Sequence, residues 1–407
     1  MVEIKYQHPL EYYTVDNFVE ESKKLIGEPL PGIEATYDTA KYDFVAAYAA
    51  ALGDDNPLFH DLWYAVSTRH DGLIAPPTFL ITTKYPITAG ALYDGPYPLV
   101  GFESKFDWVW NDTIKMNDQL TGEVMLKDVY ETKTNKGRTI NLVSECTYLN
   151  SLSEELVATC EGTLSAIAVA DSITEIPEAI KEGFRKNLVT DREVYCHSQE
   201  EITRILDDIK AMTRRGPKTI FWEDVDVGEP LPPVVKAPLT TGDCVGYVNA
   251  VFSAKAFPNF ELNVQKLQKN PGMIRSNPTT GWPYDLHISE HVDPFLSGSR
   301  GMPYMFGWGT LKAGFCAHIL TNWIGDDGFV RNLNVDTTGD YIYGDALWVK
   351  GSIVDKYKEK IAGTLYGAVD IKLSAVNQLN QTVATGIATV YLPTTGCIVS
   401  LPIMEDF

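Results

Sequence analysis

Ile26-Gly27-Glu28-Pro29-Leu30-Pro31 returns as Val227-Gly228-Glu229-Pro230-Leu231-Pro232, 227 − 26 = 201 residues later. Val157-Ala158-Thr159 returns as Val383-Ala384-Thr385, 383 − 157 = 226 residues later. The matches keep their order and their offsets differ by 226 − 201 = 25, as expected of two homologous domains of which the second carries an insertion. Asn117-Asp118 and Gly344-Asp345 stand opposite each other at nearly the second offset, 344 − 117 = 227. A duplicated chain is a pseudo-dimer in which one half can keep chemistry while the other drifts into binding. Asymmetry between the halves is therefore the place to look for function.

Composition narrows the class. A chain of 407 residues with 44% hydrophobic content can bury two cores of ordinary size. No apolar run approaches the roughly 20 residues of a membrane helix, and Met1-Val2-Glu3-Ile4-Lys5-Tyr6 lacks a signal-peptide profile, so a soluble, cytoplasmic protein is expected. Cys146, Cys160, Cys196, Cys244, Cys316 and Cys397 are scattered, with no Cys-x-x-Cys pair, and suggest neither a zinc site nor a disulfide framework. No metal, flavin or nicotinamide is expected, because no metal-spaced His/Cys cluster and no Gly-x-Gly-x-x-Gly opening a βα unit occurs. A net charge of −20 argues against general nucleic-acid binding and requires a local basic patch for any phosphorylated ligand.

The repeat sets the layout: a first domain over residues 15–170, a helical connector over 171–219, and a second domain over 220–395 with its insertion near 252–281. In the connector, Ser198 and Glu201 have capping-box spacing, and Ile202, Ile205, Leu206, Ile209 and Met212 follow at helical intervals up to Arg214-Arg215-Gly216-Pro217. The preferred reading is a helix clamped across both domains; the sharper alternative has Arg214, Arg215 and Lys218 binding ligand phosphates. Each domain then runs from a short helix such as Tyr42 to Leu52, through a polar loop and an apolar segment (Ile74 to Leu92 in the first), into alternating strands such as Thr139 to Tyr148 and Ala368 to Val376. Helix first and sheet after means an α+β fold, with the apolar segment covering the sheet.

The polar loop carries the sharpest motif: Gly53-Asp54-Asp55-Asn56-Pro57-Leu58-Phe59-His60-Asp61, followed by Ile74-Ala75-Pro76-Pro77-Thr78-Phe79-Leu80. It resembles the Gly-Asp-x-Asn-Pro-aliphatic-His-x-Asp motif of the MaoC-like family of (R)-specific enoyl-thioester hydratases and dehydratases. In that family an Ile-Ala-His-Gly-like stretch follows about eighteen residues after the His. The likeness extends through Phe221-Trp222-Glu223-Asp224-Val225, Val235-Lys236 and Leu320 to Gly328, and together these resemble the two-domain acyl dehydratases of this family. It implies a tandem (double) hot-dog fold, each half a long central helix wrapped by an antiparallel sheet, with the two helices side by side. It also implies hydration or dehydration at the 2,3-position of an acyl-CoA, with coenzyme A as part of the substrate and no separate cofactor. An Asp and a His would share the water, and a glycine N–H at the helix start would meet the thioester carbonyl.

The two halves depart from this pattern differently. In the first, Asp54 and Asn56 match, but Phe59 stands at the His position with His60 one residue late, and Pro77, at the glycine position, has no N–H. Asp54 with His60 as partner is one reading; a helix-ending turn kept for its Asx hydrogen bonds is the other. In the second, Tyr284-Asp285-Leu286-His287 offers a histidine, and Gly309 in Phe306-Gly307-Trp308-Gly309 is the best glycine match. Trp282 stands five residues before His287, so Asp285 is the base or His287 acts alone; a structural histidine under the insertion is the other reading. Catalysis is expected in the second half. Lys255, Lys266, Lys269 and Arg275 of the insertion would meet the coenzyme A phosphates, or form the solvated face of a short helix. A non-catalytic acyl-CoA-binding or partner subunit and, more weakly, an acyl-CoA thioesterase are the alternatives. A homodimer of double hot dogs is a possible assembly, with no nucleic-acid or membrane partner.

Overall fold

The computed structural model describes residues 6–28, 36–134, 137–175, 190, 192–253, 271, 274–276, 280–298 and 302–404. In the first half, α1 (Val15–Lys24), α2 (Tyr42–Leu52) and α3 (Leu62–Val66) precede β1 (Leu99–Trp110), β2 (Leu120–Thr134), β3 (Gly137–Asn150) and β4 (Leu156–Ala168). The connector helix α4 (Gln199–Lys210) leads into β5 (Val234–Lys236) and α5 (Thr241–Phe252). The short β6 (Ile274–Ser276), β7 (Pro283–Asp285), α6 (Leu286–Ser289) and α7 (Pro294–Ser297) follow. The long α8 (Gly309–Ile324) then precedes β8 (Phe329–Asp336), β9 (Leu347–Ile361), β10 (Thr364–Asn377) and β11 (Thr382–Leu392).

All the main strands form one antiparallel sheet in the order β2-β3-β4-β1-β8-β11-β10-β9-β5. The halves are stitched at its middle, where β1 pairs β8 from Lys105↔Asp336 to Val109↔Asn332. This is a double hot dog. The strands alternate as a half-covered sheet requires: Ile140, Leu142, Ser144, Cys146 and Tyr148 of β3 are all buried on one face. Trp108 stacks between Trp110 and Tyr148 at 5.3 and 5.6 Å.

Hydrogen bonds repeat across the halves and fix their register. Ala75 N donates to Ile114 O (2.8 Å) as Gly307 N does to Tyr341 O (2.9 Å). The segment offset is thus 307 − 75 = 232, and the sheet offset 341 − 114 = 227. Upstream, Ala40 N donates to Asp118 O (2.9 Å) as Leu239 N does to Asp345 O (3.0 Å), an offset of 239 − 40 = 199. The second half therefore gains 232 − 199 = 33 residues between Leu239 and Gly307, and returns a few before β8.

The central helices are not a pair. In the second half α8 is buried along all its 16 residues, Lys312, His318 and Asn322 included. In the first, the corresponding segment forms only 3-10 turns at Pro77–Thr82 and Gly90–Tyr93. Pro86 is the physical reason: it lacks an N–H and disfavours helical geometry at Tyr85 before it, while Thr82, Thr83, Ile87 and Thr88 add β-branched side chains. The segment still covers its sheet, with Thr78 to Thr83 and Ile87 to Ala91 buried. The expectation of two long helices side by side is corrected; cover is kept without the helix.

The connector behaves as a clamp. Ser198 and Glu201 form the capping box, Ile205 is buried, and Asp208 accepts from the Trp348 indole (2.8 Å), which holds α4 on the second half. Arg215 donates to Trp323 O (2.6 Å) at the C-terminal end of α8, and Arg214 pairs with Asp55 at 2.5 Å. Arg215 thus ties the connector to the second half and Arg214 ties it to the first.

Candidate active site

The motif turn exists in both halves. Phe59 N donates to Asn56 O (3.0 Å), Asp61 N to Pro57 O (2.8 Å) and Ala65 N to Asp61 O (2.9 Å). Their counterparts are His291 N to Ile288 O (3.1 Å), Asp293 N to Ser289 O (2.9 Å) and Ser297 N to Asp293 O (3.1 Å), each displaced by 291 − 59 = 232. This register puts His291, rather than His287, at the place of the motif histidine, with Asp293 as the closing Asp and, counting back two residues from the turn without a gap, Leu286 at the Asp54 position. The sequence held the signal: 309 − 291 = 18, the spacing from motif histidine to helix glycine. His287 and Asp285 lie on α6 and β7, and their side chains fall outside the described residues.

Asp54 is buried, and His60 is not its partner. The exposed His60 ring sits 3.1 Å from Asp55 O, one residue away from the carboxylate it was expected to meet. Asp54 Oδ1 accepts from Asn56 N (3.1 Å), and Asn56 Oδ1 accepts from Leu58 N (3.1 Å): the Asx turn is present. Across the interface, His318 Nε2 of α8 stands 3.5 Å from Asp54 Oδ1. Lys236 Nζ donates to His318 Nδ1 (2.7 Å), Leu52 O (2.6 Å) and Gly53 O (3.3 Å), so it also caps the C-terminal end of α2. Burial raises the Asp54 carboxyl while Lys236 draws it back, and burial lowers Lys236. Burial and the neighbouring Lys236 hold His318 well below its ordinary value. His318 is thus neutral, with the network assigning its proton to Nε2, toward Asp54. Asp54 is engaged in joining the halves.

The start of α8 gathers a second polar group. His291 is buried, donates from Nδ1 to Phe306 O (2.7 Å) and stacks on Trp308, the residue before Gly309, at 3.8 Å. Its neighbour Glu290 is buried as well, 4.0 Å from Nε2. From the first half comes Glu103 of β1, whose carboxylate accepts from Thr310 N (3.0 Å) and from the Tyr85 hydroxyl. Tyr85 also meets Thr310 Oγ1 at 2.9 Å. Burial raises the Glu103 carboxyl. Gly309 cannot be anything larger without movement: a Cβ there would lie 2.6 Å from Glu103 Cβ. Sequence reading had no route to Glu103, Tyr85 or His318, because each is brought in from a distant element.

Lys255, Lys266 and Lys269, and the side chain of Arg275, lie outside the described residues. Among the described residues no group of three or more His, Cys, Asp or Glu is placed to hold a metal, and no helix is long and apolar enough to cross a membrane.

Residues 27–160 match the family model described as FAS1-like, dehydratase domain region. A solved structure named MaoC-like dehydratase aligns with a TM-score of 0.58 at 18% identity, covering 89% of this chain and 98% of its own. A MaoC domain protein dehydratase from Chloroflexus aurantiacus J-10-fl aligns at 0.51 and 14% identity, covering 90% and 96%. A UPF0336 protein of Parafrankia sp. (strain EAN1pec) is 48% identical over 40 residues, 10% of this chain; the match spans 26% of that relative's length. The chain thus shares the fold of MaoC-like dehydratases nearly end to end, and its first half resembles the dehydratase region in sequence as well.

Proposed function

We propose that the chain is a hydro-lyase that adds or removes water at the 2,3-position of an acyl-CoA thioester, with the reaction held in the second half. One observation carries this reading: His291 occupies the motif-histidine position and stacks on Trp308 at the start of a fully buried helix. Its Nδ1–H donates to Phe306 O, which fixes the tautomer so that Nε2 is the acceptor nitrogen of the ring. The N-terminal end of α8 favours the negative charge that develops on a thioester oxygen when water adds. The reaction needs no redox group or metal.

The test is a panel of 2-enoyl-CoA thioesters followed by loss of the conjugated absorbance, alongside free-thiol release. His291→Ala should lower turnover by roughly 10²- to 10⁴-fold, the range for a positioned acid or base. His287→Ala and Asp285→Asn should cost much less, and Asp54→Asn should act on stability. Full activity in His291→Ala with loss in His287→Ala would return the role to His287. A second reading, an acyl-CoA thioesterase, is favoured by Glu103, a carboxylate beside the helix start; thiol release without hydration would establish it. Binding of the thioesters with neither reaction would make the chain a non-catalytic subunit.

A further inference from the structure

The second half has a histidine at the motif position and Leu286 where the motif aspartate belongs, while the aspartate of the first half is tied to Lys236 and His318. A hydration site still needs a group that takes a proton from water and gives one to carbon. Glu103 is the carboxylate at hand. It lies on β1 beside a register shift between Glu103 and Lys105, an irregularity of the kind that re-aims a side chain. It comes from the other half, yet its carboxylate sits against the first turn of α8, 3.0 Å from Thr310 N. Thr337 Oγ1 donates to its backbone carbonyl (3.1 Å), so its strand is tied to the end of β8 as well.

Two further observations mark this as more than a helix cap. The hydroxyl of Tyr247, fully buried beside Thr310 and Glu103, makes no hydrogen bond of ordinary length. A buried hydroxyl without a partner is costly and is satisfied by a bound polar group. The cluster is also walled by aromatic faces, with Trp308 5.2 Å from Tyr247 and Phe252 5.4 Å from Tyr85, which suits a dry reaction site.

We propose that Glu103, a first-half residue, is the catalytic carboxylate of the second-half site, in the role left vacant by Leu286. This rests on the hydro-lyase reading. In the hydration direction, ionised Glu103 takes one proton from a water whose other hydrogen is held by His291 Nε2, as the water oxygen bonds to C3 of the enoyl thioester. The C2=C3 π electrons move onto the thioester oxygen as an enolate beside the α8 start. The carbonyl re-forms as C2 takes the proton from Glu103, which regenerates the carboxylate and leaves a 3-hydroxyacyl thioester. Dehydration is the reverse, and the Tyr247 hydroxyl gains a polar partner in the bound state.

The experiment compares the full chain with Glu103→Gln, Glu103→Asp and, as a control, Lys105→Gln at an exposed neighbour on β1. Glu103→Gln should lower kcat by about 10²- to 10⁴-fold with KM little changed, and should remove one of the two ionisations from the acid limb of the kcat/KM profile. Glu103→Asp should keep the limb with a reduced rate, and Lys105→Gln should match the parent. A capping role alone would lower the melting temperature and leave the acid limb unchanged in shape, which would overturn the proposal. Should Glu103→Gln fail to fold, Glu103→Asp decides: a folded protein with reduced kcat supports the proposal, and one at full rate overturns it. A parent that hydrates while Glu103→Gln keeps its rate overturns this proposal alone; a parent that turns over no enoyl thioester overturns the hydro-lyase reading and this proposal with it.

Discussion

Lys312 is buried inside a helix buried on every side, donating from Nζ to Thr337 O and to Gly339 O (2.9 Å). Burial lowers its pKa from 10.5 to about 8. The native state sheds this proton near pH 8, while the unfolded chain holds it to about 10.5. The unfolded state therefore binds more protons in that window, and stability should rise with pH relative to Lys312→Met, by on the order of 3 kcal/mol across it. Urea midpoints of the two proteins across the window measure this, and parallel curves would refute it. At this scale the sequence was legible where chemistry is local. Asp54 and Asn56 form their Asx turn within one loop, and the spacing to Gly309 pointed at His291 for a reader who counted eighteen residues back. Glu103, His318 and Lys236 carry no local mark, since their roles come from packing between the halves.

Between elements, α2 and α8 meet at a glycine. A Cβ at Gly314 would lie 2.6 Å from Leu52 Cδ2, so the close approach of the two helices depends on that missing methyl. In isolation Gly→Ala favours a helix by up to about 1 kcal/mol. Overpacking a closed core costs about 1–3 kcal/mol. Gly314→Ala should therefore lower the melting temperature, and adding Leu52→Val should recover part of the loss; a higher melting temperature in the single variant would contradict the contact. Helix α2, the α4 capping box and strands β3 and β10 could be read from the sequence because period, caps and alternation agree within each. The segment from Ile74 to Leu92 could not, because its apolar content promised a helix while Pro86 forbade one, and burial is satisfied by either conformation.

For the whole molecule, the β1–β8 pairing and the clamps at Arg215 and Lys236 make the halves one cooperative unit. Hydrogen exchange in rising urea should release β1 and β8 together, and release of one half well before the other would show two independent domains. The duplication was legible in one six-residue echo and a three-residue echo that falls in β4 and β11, and the double hot dog in the resemblance that the motif carries.

The unequal central segments also set how hard it is to make the halves equal. Each half lacks a different part of the paired pattern: the first a long helix and the motif histidine, the second the aspartate. Restoring the first half would need His in place of Phe59, which is 1% exposed, together with the loss of Pro77 and Pro86. Any one of these steps alone buries an unpaired imidazole or disturbs a packed cover, at roughly 1–3 kcal/mol. Each single step toward restoration is therefore expected to give a less stable protein. The unequal central segments thus hold the two halves in unequal roles by packing alone.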